Sequence, residues 1–416
     1  MLDGAEGRAI QAAMDLLVRY GEALGAERLI ETNNVCGANI FGPRHVRLAR
    51  QASHDGVFAE LSLDSPEPVD VPAVRAYACQ LIGPMDTRRW DVQGVSPDVH
   101  QAIMESESYS ARHGIHLLNT CTPYQVGNVP VKGEICAWME SSAVVYINSV
   151  LGARTNCEGR ESTAAAMLTR RIPHWGLHFD HNRYASHVVE VEWPVTGMMD
   201  WGLLGYWVGE MVADGVPVLT GVRGVPRLVE LKHFGAAASS SGGVELYHIP
   251  GVTPEARTAE EALGPGRPVA TLKFGARERS AAYDHLNHTA RERRVDLVMI
   301  GCPHASLDQI RDVCRLLEGR RVAAGTALWV FTPRALRAVA DDNGYSEVLR
   351  AAGAVLMSDT CPAIGQFLPP GARVVAMDSA KQAHYLPAIM GVQGWFGSLE
   401  RCVEAGVTGT WEPDDL

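Results

Sequence analysis

The stretch from Ser280 to Ser358 limits the fold more than any other. Helical spacing over Ser280 to Arg293, Ser306 to Leu317 and Arg334 to Asn343 alternates with the short apolar runs VDLVMIG, ALWVFT and AVLMS. Such runs have strand length, and strands joined through helix-length crossovers pair parallel with the helices packed across the sheet. The chain is therefore expected to be α/β with parallel sheets. At 416 residues it can bury a large core and divide into two or three domains.

Upstream the pattern is less regular. Ile10, Met14, Leu17, Tyr20 and Leu24 mark a docking helix within Gly7 to Glu27, and ETNNVCGANIFG, with Asn33, Asn34, Gly37 and Asn39, reads as a polar loop. Short elements joined by proline-bearing loops fill Ser53 to Arg89. Helices are expected over Asp98 to Arg112 and Ser162 to Arg171, and strands over Ile115 to Leu118, Val188 to Trp193 and GVPVLTGV. The glycine-interrupted run Leu203 to Val212 suits close packing on another element. The small-residue stretch GAAASSSGGVELYHIPGVTPEARTAEEALGPGRP reads as loops, with a boundary near Thr253 to Pro268. Three α/β regions follow: 1–118, 119–260 and 261–416.

Charge and composition narrow the function. A net charge of −11 disfavours nucleic acid, which calls for a basic stripe. An unbroken apolar stretch of about 20 residues, the length a membrane span needs, does not occur. The start MLDGAEGRAI lacks signal-peptide order, so a cytoplasmic protein is expected. Nine cysteines in a chain of this length fit a reducing compartment, with thiols free or holding metal.

Three of those cysteines share a grammar. LLNTCTPY, VDLVMIGCPH and AVLMSDTCP each deliver a cysteine (Cys121, Cys302, Cys361) at the carboxyl end of an apolar run, with proline one or two residues later. Proline removes a backbone donor and stiffens the turn. Ligands of parallel sheets gather beyond the carboxyl ends of strands, so the three can meet in space. Three thiolates are one short of closing a 4Fe-4S cluster, and the open iron is a Lewis acid suited to dehydration. Cys36, Cys79, Cys136, Cys157, Cys314 and Cys402 lack the pattern and read as packing, although Cys36 and Cys157 lie inside polar motifs. Close CxxC or HxxxH spacing, the mark of zinc, is missing.

Polar residues crowd the segment from Asn119 to Asn156. Glu140, Ser141, Ser142, Asn148, Ser149, Arg154, Thr155 and Asn156 interleave with apolar residues as one face of an element lining a polar cavity. His178 and Arg183 in PHWGLHFDHNR, His304 after Cys302, and Ser379 with Lys381 in DSAKQAHY join the candidate catalytic set. Arg154, Asn156, Arg183 and Lys381 are expected to hold carboxylate or neighbouring polar groups of a small anionic hydroxy acid. Glu140, Ser141, His178, His304 and Ser379 are expected to line the pocket and manage protons.

On TCTPY with its following GE, ESSAVVYINSVLGARTN, GLHFDHNR, GVTPEA, GCPHAS, DTC and SAKQAHY, in that order, the chain resembles the large subunit of the aconitase X family over nearly its whole length. The resemblance implies an aconitase-like multi-domain arrangement around an iron-sulfur cluster, with Cys121, Cys302 and Cys361 as ligands. A 4Fe-4S cluster is favoured and 2Fe-2S is the alternative. It also implies hydro-lyase activity, on cis-3-hydroxy-L-proline first and on mevalonate 5-phosphate second. The swivelling domain that completes such sites is expected on a separate small subunit that contributes a serine base, because little chain follows DTC. Two departures bear on the substrate. ETNNVCGANI lacks the serine-rich, histidine-bearing form the resemblance leads one to expect, and Cys157 stands in place of a basic residue, which argues against a phosphorylated substrate. The rival readings are a dehydratase or isomerase acting on another hydroxy acid, and a non-catalytic cluster-bearing subunit.

Overall fold

The computed structural model describes residues 1–37, 63 and 71–414. Of the expected polar loop, Asn34–Gly37 is instead a buried strand paired on both sides, and Asn39, like the expected short elements of 53–70 apart from Leu63, lies outside the described residues. In chain order the strands are β1 (Leu29–Glu31), β2 (Asn34–Gly37), β3 (Tyr77–Gln80), β4 (Ile115–His116), β5 (Cys136–Trp138), β6 (Arg171–Pro173) and β7 (His187–Val191). They continue as β8 (Pro217–Thr220), β9 (Ala270–Phe274), β10 (Leu297–Ile300), β11 (Ala327–Thr332), β12 (Val355–Ser358), β13 (Val374–Met377) and β14 (Gln393–Phe396).

Three sheets are wholly parallel, with orders β4-β3-β2-β5, β8-β7-β9 and β12-β11-β10-β13-β14, and β1 pairs antiparallel with β6. Each parallel order reverses direction once, between β2 and β5, between β7 and β9, and between β10 and β13. At such reversals the loops leave to opposite faces and open a crevice at the strand carboxyl ends. The five-stranded sheet explains why its strands read as apolar runs: both of its faces are covered. Leu297, Met299, Phe331 and Met377 enter one core, while Val298, Ile300, Val330 and Ala376 enter another.

The expected close packing of the glycine-interrupted run is present. It lies in the helix Gly197–Val212, which packs on the helix Leu228–Ser241. A Cβ on Gly205 would sit 2.3 Å from the Phe234 carbonyl oxygen, and one on Gly209 would sit 2.5 Å from that of Ala238. Nothing larger than hydrogen fits without moving backbone. The second helix corrects an expectation, because GAAASSS was read as loop. Alanine is a strong helix former. Ser240 and Ser241 return their hydroxyls to the carbonyls of Ala236 and Ala237, at 2.7 and 3.0 Å, so they do not interrupt the helix. The expected helix over Ser280 to Arg293 is Ala276–Leu286 and stops early. Beyond it, Asn287 accepts the Phe396 N–H at 2.8 Å and so serves the end of β14. Among the described residues no helix is long and apolar enough to cross a membrane.

Candidate active site

Cys302 follows β10 and Ser379 follows β13, so they flank the reversal point of the five-stranded sheet. Cys361 follows β12 of that sheet, whereas Cys121 arrives from the four-stranded sheet, beyond β4. The three thiols are 7, 9 and 7% exposed for Cys121, Cys302 and Cys361. Each feels another's charge: Cys302 acts on Cys121, Cys361 on Cys302, and Cys121 on Cys361. Burial pushes all three up to about 12.

A backbone kink precedes each thiol. Asn119 (φ 44°), Gly301 (φ 101°) and Asp359 (φ 71°) occupy left-handed conformations one or two residues before the cysteine. At Gly301 a side chain is impossible, since its Cβ would fall 2.3 Å from the Phe331 carbonyl oxygen. Asn and Asp are the other residues that tolerate this region. The repeated Asn-Thr-Cys and Asp-Thr-Cys is thus a turn that redirects the chain at a strand end.

His304 laces the three loops together. Its backbone N–H donates to Cys121 Sγ at 3.3 Å, its Nδ1 meets Thr120 Oγ1 at 2.8 Å, and its Nε2 meets the Thr360 carbonyl at 3.1 Å. A carbonyl only accepts, so Nε2 carries the proton and Nδ1 accepts from the threonine. Burial holds the ring down at about 4, hence neutral. Both ring nitrogens are engaged, which makes His304 a fastener.

Two cations stand by the thiols. Lys232, from the helix Leu228–Ser241, donates to the carbonyl of His304 at 2.9 Å and to Gln309 Oε1 at 2.6 Å. Burial lowers it to about 8, against the pull of Cys121, Asp378 and Cys302. Lys381 pairs with Glu140 at 2.5 Å, and Ser142 Oγ donates to the same carboxylate oxygen at 2.9 Å. Burial works against both charges, yet the pairing wins: Glu140 is held below its ordinary value and Lys381 above its own. Glu140 immediately precedes the helix Ser141–Tyr146, where Ser141 is half-buried. Cys157 lies on the same side, within electrostatic reach of Glu140 and Lys381.

Arg154, Asn156, His178 and Arg183 form a second cluster. The segment carrying Arg154 runs along β5, with Arg154 beside its start and Cys157 beside its end, about 10 Å apart at strand spacing. Arg183 is buried and spends its fork on Glu255, at 2.8 and 3.0 Å, and on the carbonyls of Asn148, Ala153 and Leu177. Arg154 takes Asp180 and the His178 carbonyl. Asn156 donates to the Trp175 carbonyl and accepts from the Leu177 N–H. His178 Nδ1 bonds the Pro173 carbonyl, and burial lowers the ring to about 4. These four fold one loop onto β5, and Arg154 and Arg183 line, with Lys132, Asp180 and Glu255, a cleft of about 260 Å³. The structure therefore brings Cys121, Cys302, Cys361, Glu140, His304, Ser379 and Lys381 together, with Ser141 next in the chain to Glu140, while Arg154, Asn156, His178 and Arg183 share partners in the second cluster. It adds Thr120, Thr360, Lys232 and Gln125, whose amide donates to the His304 carbonyl at 3.1 Å. Of these, the threonines were signalled by the repeated Thr-Cys, and Lys232 by being one of only four lysines in the chain.

An iron-sulfur cluster fits this donor set. Cys121 Sγ accepts the His304 N–H at 3.3 Å, the nearby N–H groups of Ile364 and Ala363 pull Cys361 towards its thiolate, and the Ser379 hydroxyl does the same for Cys302. Such donors stabilise a ligating sulfur. Buried Tyr124 Oη and Thr360 Oγ1, beside the thiols, have no partner among the described residues. No three His, Cys, Asp or Glu side chains among those residues are spaced for a single ion. In a 4Fe-4S cluster each thiolate would bind its own iron, so that spacing would not be required.

Models of the aconitase X first, second and third domains match residues 1–181, 185–284 and 295–408. The phosphomevalonate dehydratase large subunit of Methanothermobacter thermautotrophicus is 36% identical over 94% of this chain and 93% of its own. The cis-3-hydroxy-L-proline dehydratase of Hypocrea jecorina is 35% identical over 99% of this chain, which spans 68% of that longer protein. The crystal structure of Thermococcus kodakaraensis aconitase X in its holo-form superposes with a TM-score of 0.80, at 29% identity, over 97% of both chains. With three domain models in succession and two differently named dehydratases at equal distance, the chain belongs to the aconitase X family and is a hydro-lyase.

Proposed function

We propose that the chain is the large subunit of a cis-3-hydroxy-L-proline dehydratase that holds an iron-sulfur cluster, 4Fe-4S by its ligand count, on Cys121, Cys302 and Cys361. The observation that carries this reading is the convergence of three buried thiols, within electrostatic reach of one another and one of them accepting the His304 N–H, beside the Glu140–Lys381 pair. When bound, such a cluster supplies Lewis acidity toward a substrate hydroxyl through its open iron.

The chain's own residues recognise and hold. Lys381 Nζ, with donors beyond the one given to Glu140, takes the substrate carboxylate. Glu140, ionised because Lys381 and Ser142 hold it so, takes the ring ammonium. An anion and a cation side by side suit a zwitterionic amino acid. Among the described residues the other cation near the thiols, Lys232, donates to the His304 carbonyl and to Gln309. Ser379 steadies Cys302. A small subunit completes the site and contributes the base, a reading supported by relatives named large subunit, and the pair works in the cytoplasm.

Mevalonate 5-phosphate is the second reading, favoured by the 36% identical relative. Anaerobic assay of the chain co-expressed with its small subunit separates the two. Dehydration of cis-3-hydroxy-L-proline with no turnover of mevalonate 5-phosphate is expected. The reverse overturns the substrate, and a loaded cluster with no turnover of any hydroxy acid overturns the enzyme reading.

A further inference from the structure

Cys121 and Cys361 belong to different sheets, so something must fix their separation. The two left-handed residues that launch them, Asn119 and Asp359, are buried at 3 and 1% exposure. Glu107, from the helix Pro97–Arg112, accepts Asn119 Nδ2 at 2.5 Å. Arg334, at the start of the helix Arg334–Asp342, forks onto Glu107 at 2.7 and 3.2 Å and donates through Nε to Asp359 at 3.0 Å. The chain Asn119–Glu107–Arg334–Asp359 thus runs unbroken from one kink to the other. A third loop closes it, where the Gly83 N–H donates to the Asp359 carbonyl at 2.6 Å. One turn along the helix, Arg337 bonds buried Asp86, which also accepts the Ser358 N–H at 2.8 Å.

We infer that Glu107 and Arg334 are positioning residues: their ion pair sets the spacing of Cys121 and Cys361 and so the geometry in which the proposed cluster is held. The inference rests on the cluster reading for its purpose, but the clamp can be tested without it. A bidentate arginine–carboxylate contact fixes direction as well as distance. Removing Arg334 leaves the Glu107 and Asp359 carboxyls without their shared cation, and removing Glu107 leaves Arg334 held by Asp359 alone and Asn119 without its acceptor, which opens the local structure more than it unfolds the whole.

The test is alkylation of the chelator-treated full chain by N-ethylmaleimide under native conditions, with each cysteine followed by mass spectrometry. In Glu107→Gln and Arg334→Gln, labelling of Cys121 and Cys361 is expected to rise roughly ten- to a hundredfold, with Cys402 and Cys314 unchanged. Arg334→Lys, which keeps the charge without the fork, should recover part of the protection. Iron release to a chelator from the reconstituted complex should accelerate in the same order. A uniform rise at all cysteines, or no rise at Cys121 and Cys361, overturns the clamp. If the labelling pattern holds but the wild-type chain takes up no iron and sulfide, the cluster reading falls and the clamp stands.

Discussion

Lys381 and Glu140 show how one pair can serve both stability and chemistry. Their side chains are 15 and 17% exposed, so losing one partner strands a charge in a poorly hydrated place. Lys381→Met is predicted to cost about 3 kcal/mol of stability and to lower turnover roughly a hundredfold or more. The double variant with Glu140→Gln should lose less stability than the two single variants summed, measured by denaturant titration. A second pair of acids gives a pH signature. Burial raises both Glu158 and Glu245 to about 7. Because the folded form favours their protonated state, they contribute stability below the ordinary glutamate range, and it is lost as pH rises through about 7. The melting temperature should therefore fall from about pH 5 to about pH 8, and Glu158→Gln should flatten that slope. At this scale the partners of conspicuous residues were hidden: Arg154 and Arg183 look like substrate forks in the sequence, and in the fold backbone carbonyls and local carboxylates also draw on their donors. Pairing of that kind depends on which loops meet, and sequence spacing does not encode it.

Among elements, the strands β10, β11 and β12 were readable because burial on both faces leaves only apolar residues. The glycine face of the helix Gly197–Val212 was readable too, since spaced glycines in an apolar run have few other uses. The partner helix was not, because alanine and serine serve loops and tight helix contacts equally well. That contact matters to the site, as it carries Lys232 to the loop after Cys302. Gly205→Ala is predicted to destabilise the protein by about 1–3 kcal/mol, since its new methyl meets backbone at Phe234. It should also lower iron retention by shifting Lys232. Calorimetry and iron analysis of the same preparation check both; an unchanged melting temperature with full iron would refute the packing argument.

For the molecule as a whole, the site is a junction. Two thiols and the Ser379–Lys381 turn come from the five-stranded sheet, while the third thiol and Glu140 come from the four-stranded one. The sequence showed three cysteines at three strand ends, but not that two sheets supply them, because nothing local records which sheets face each other. Everything then depends on those thiols binding one inorganic centre. Iron and acid-labile sulfide counts, taken anaerobically on the wild-type chain and on Cys121→Ala, Cys302→Ala, Cys361→Ala and Cys402→Ala, test this most directly. The account predicts a full cluster in wild type and Cys402→Ala, and little iron or sulfide in each of the other three. Full iron and sulfide in any one of those three would contradict it.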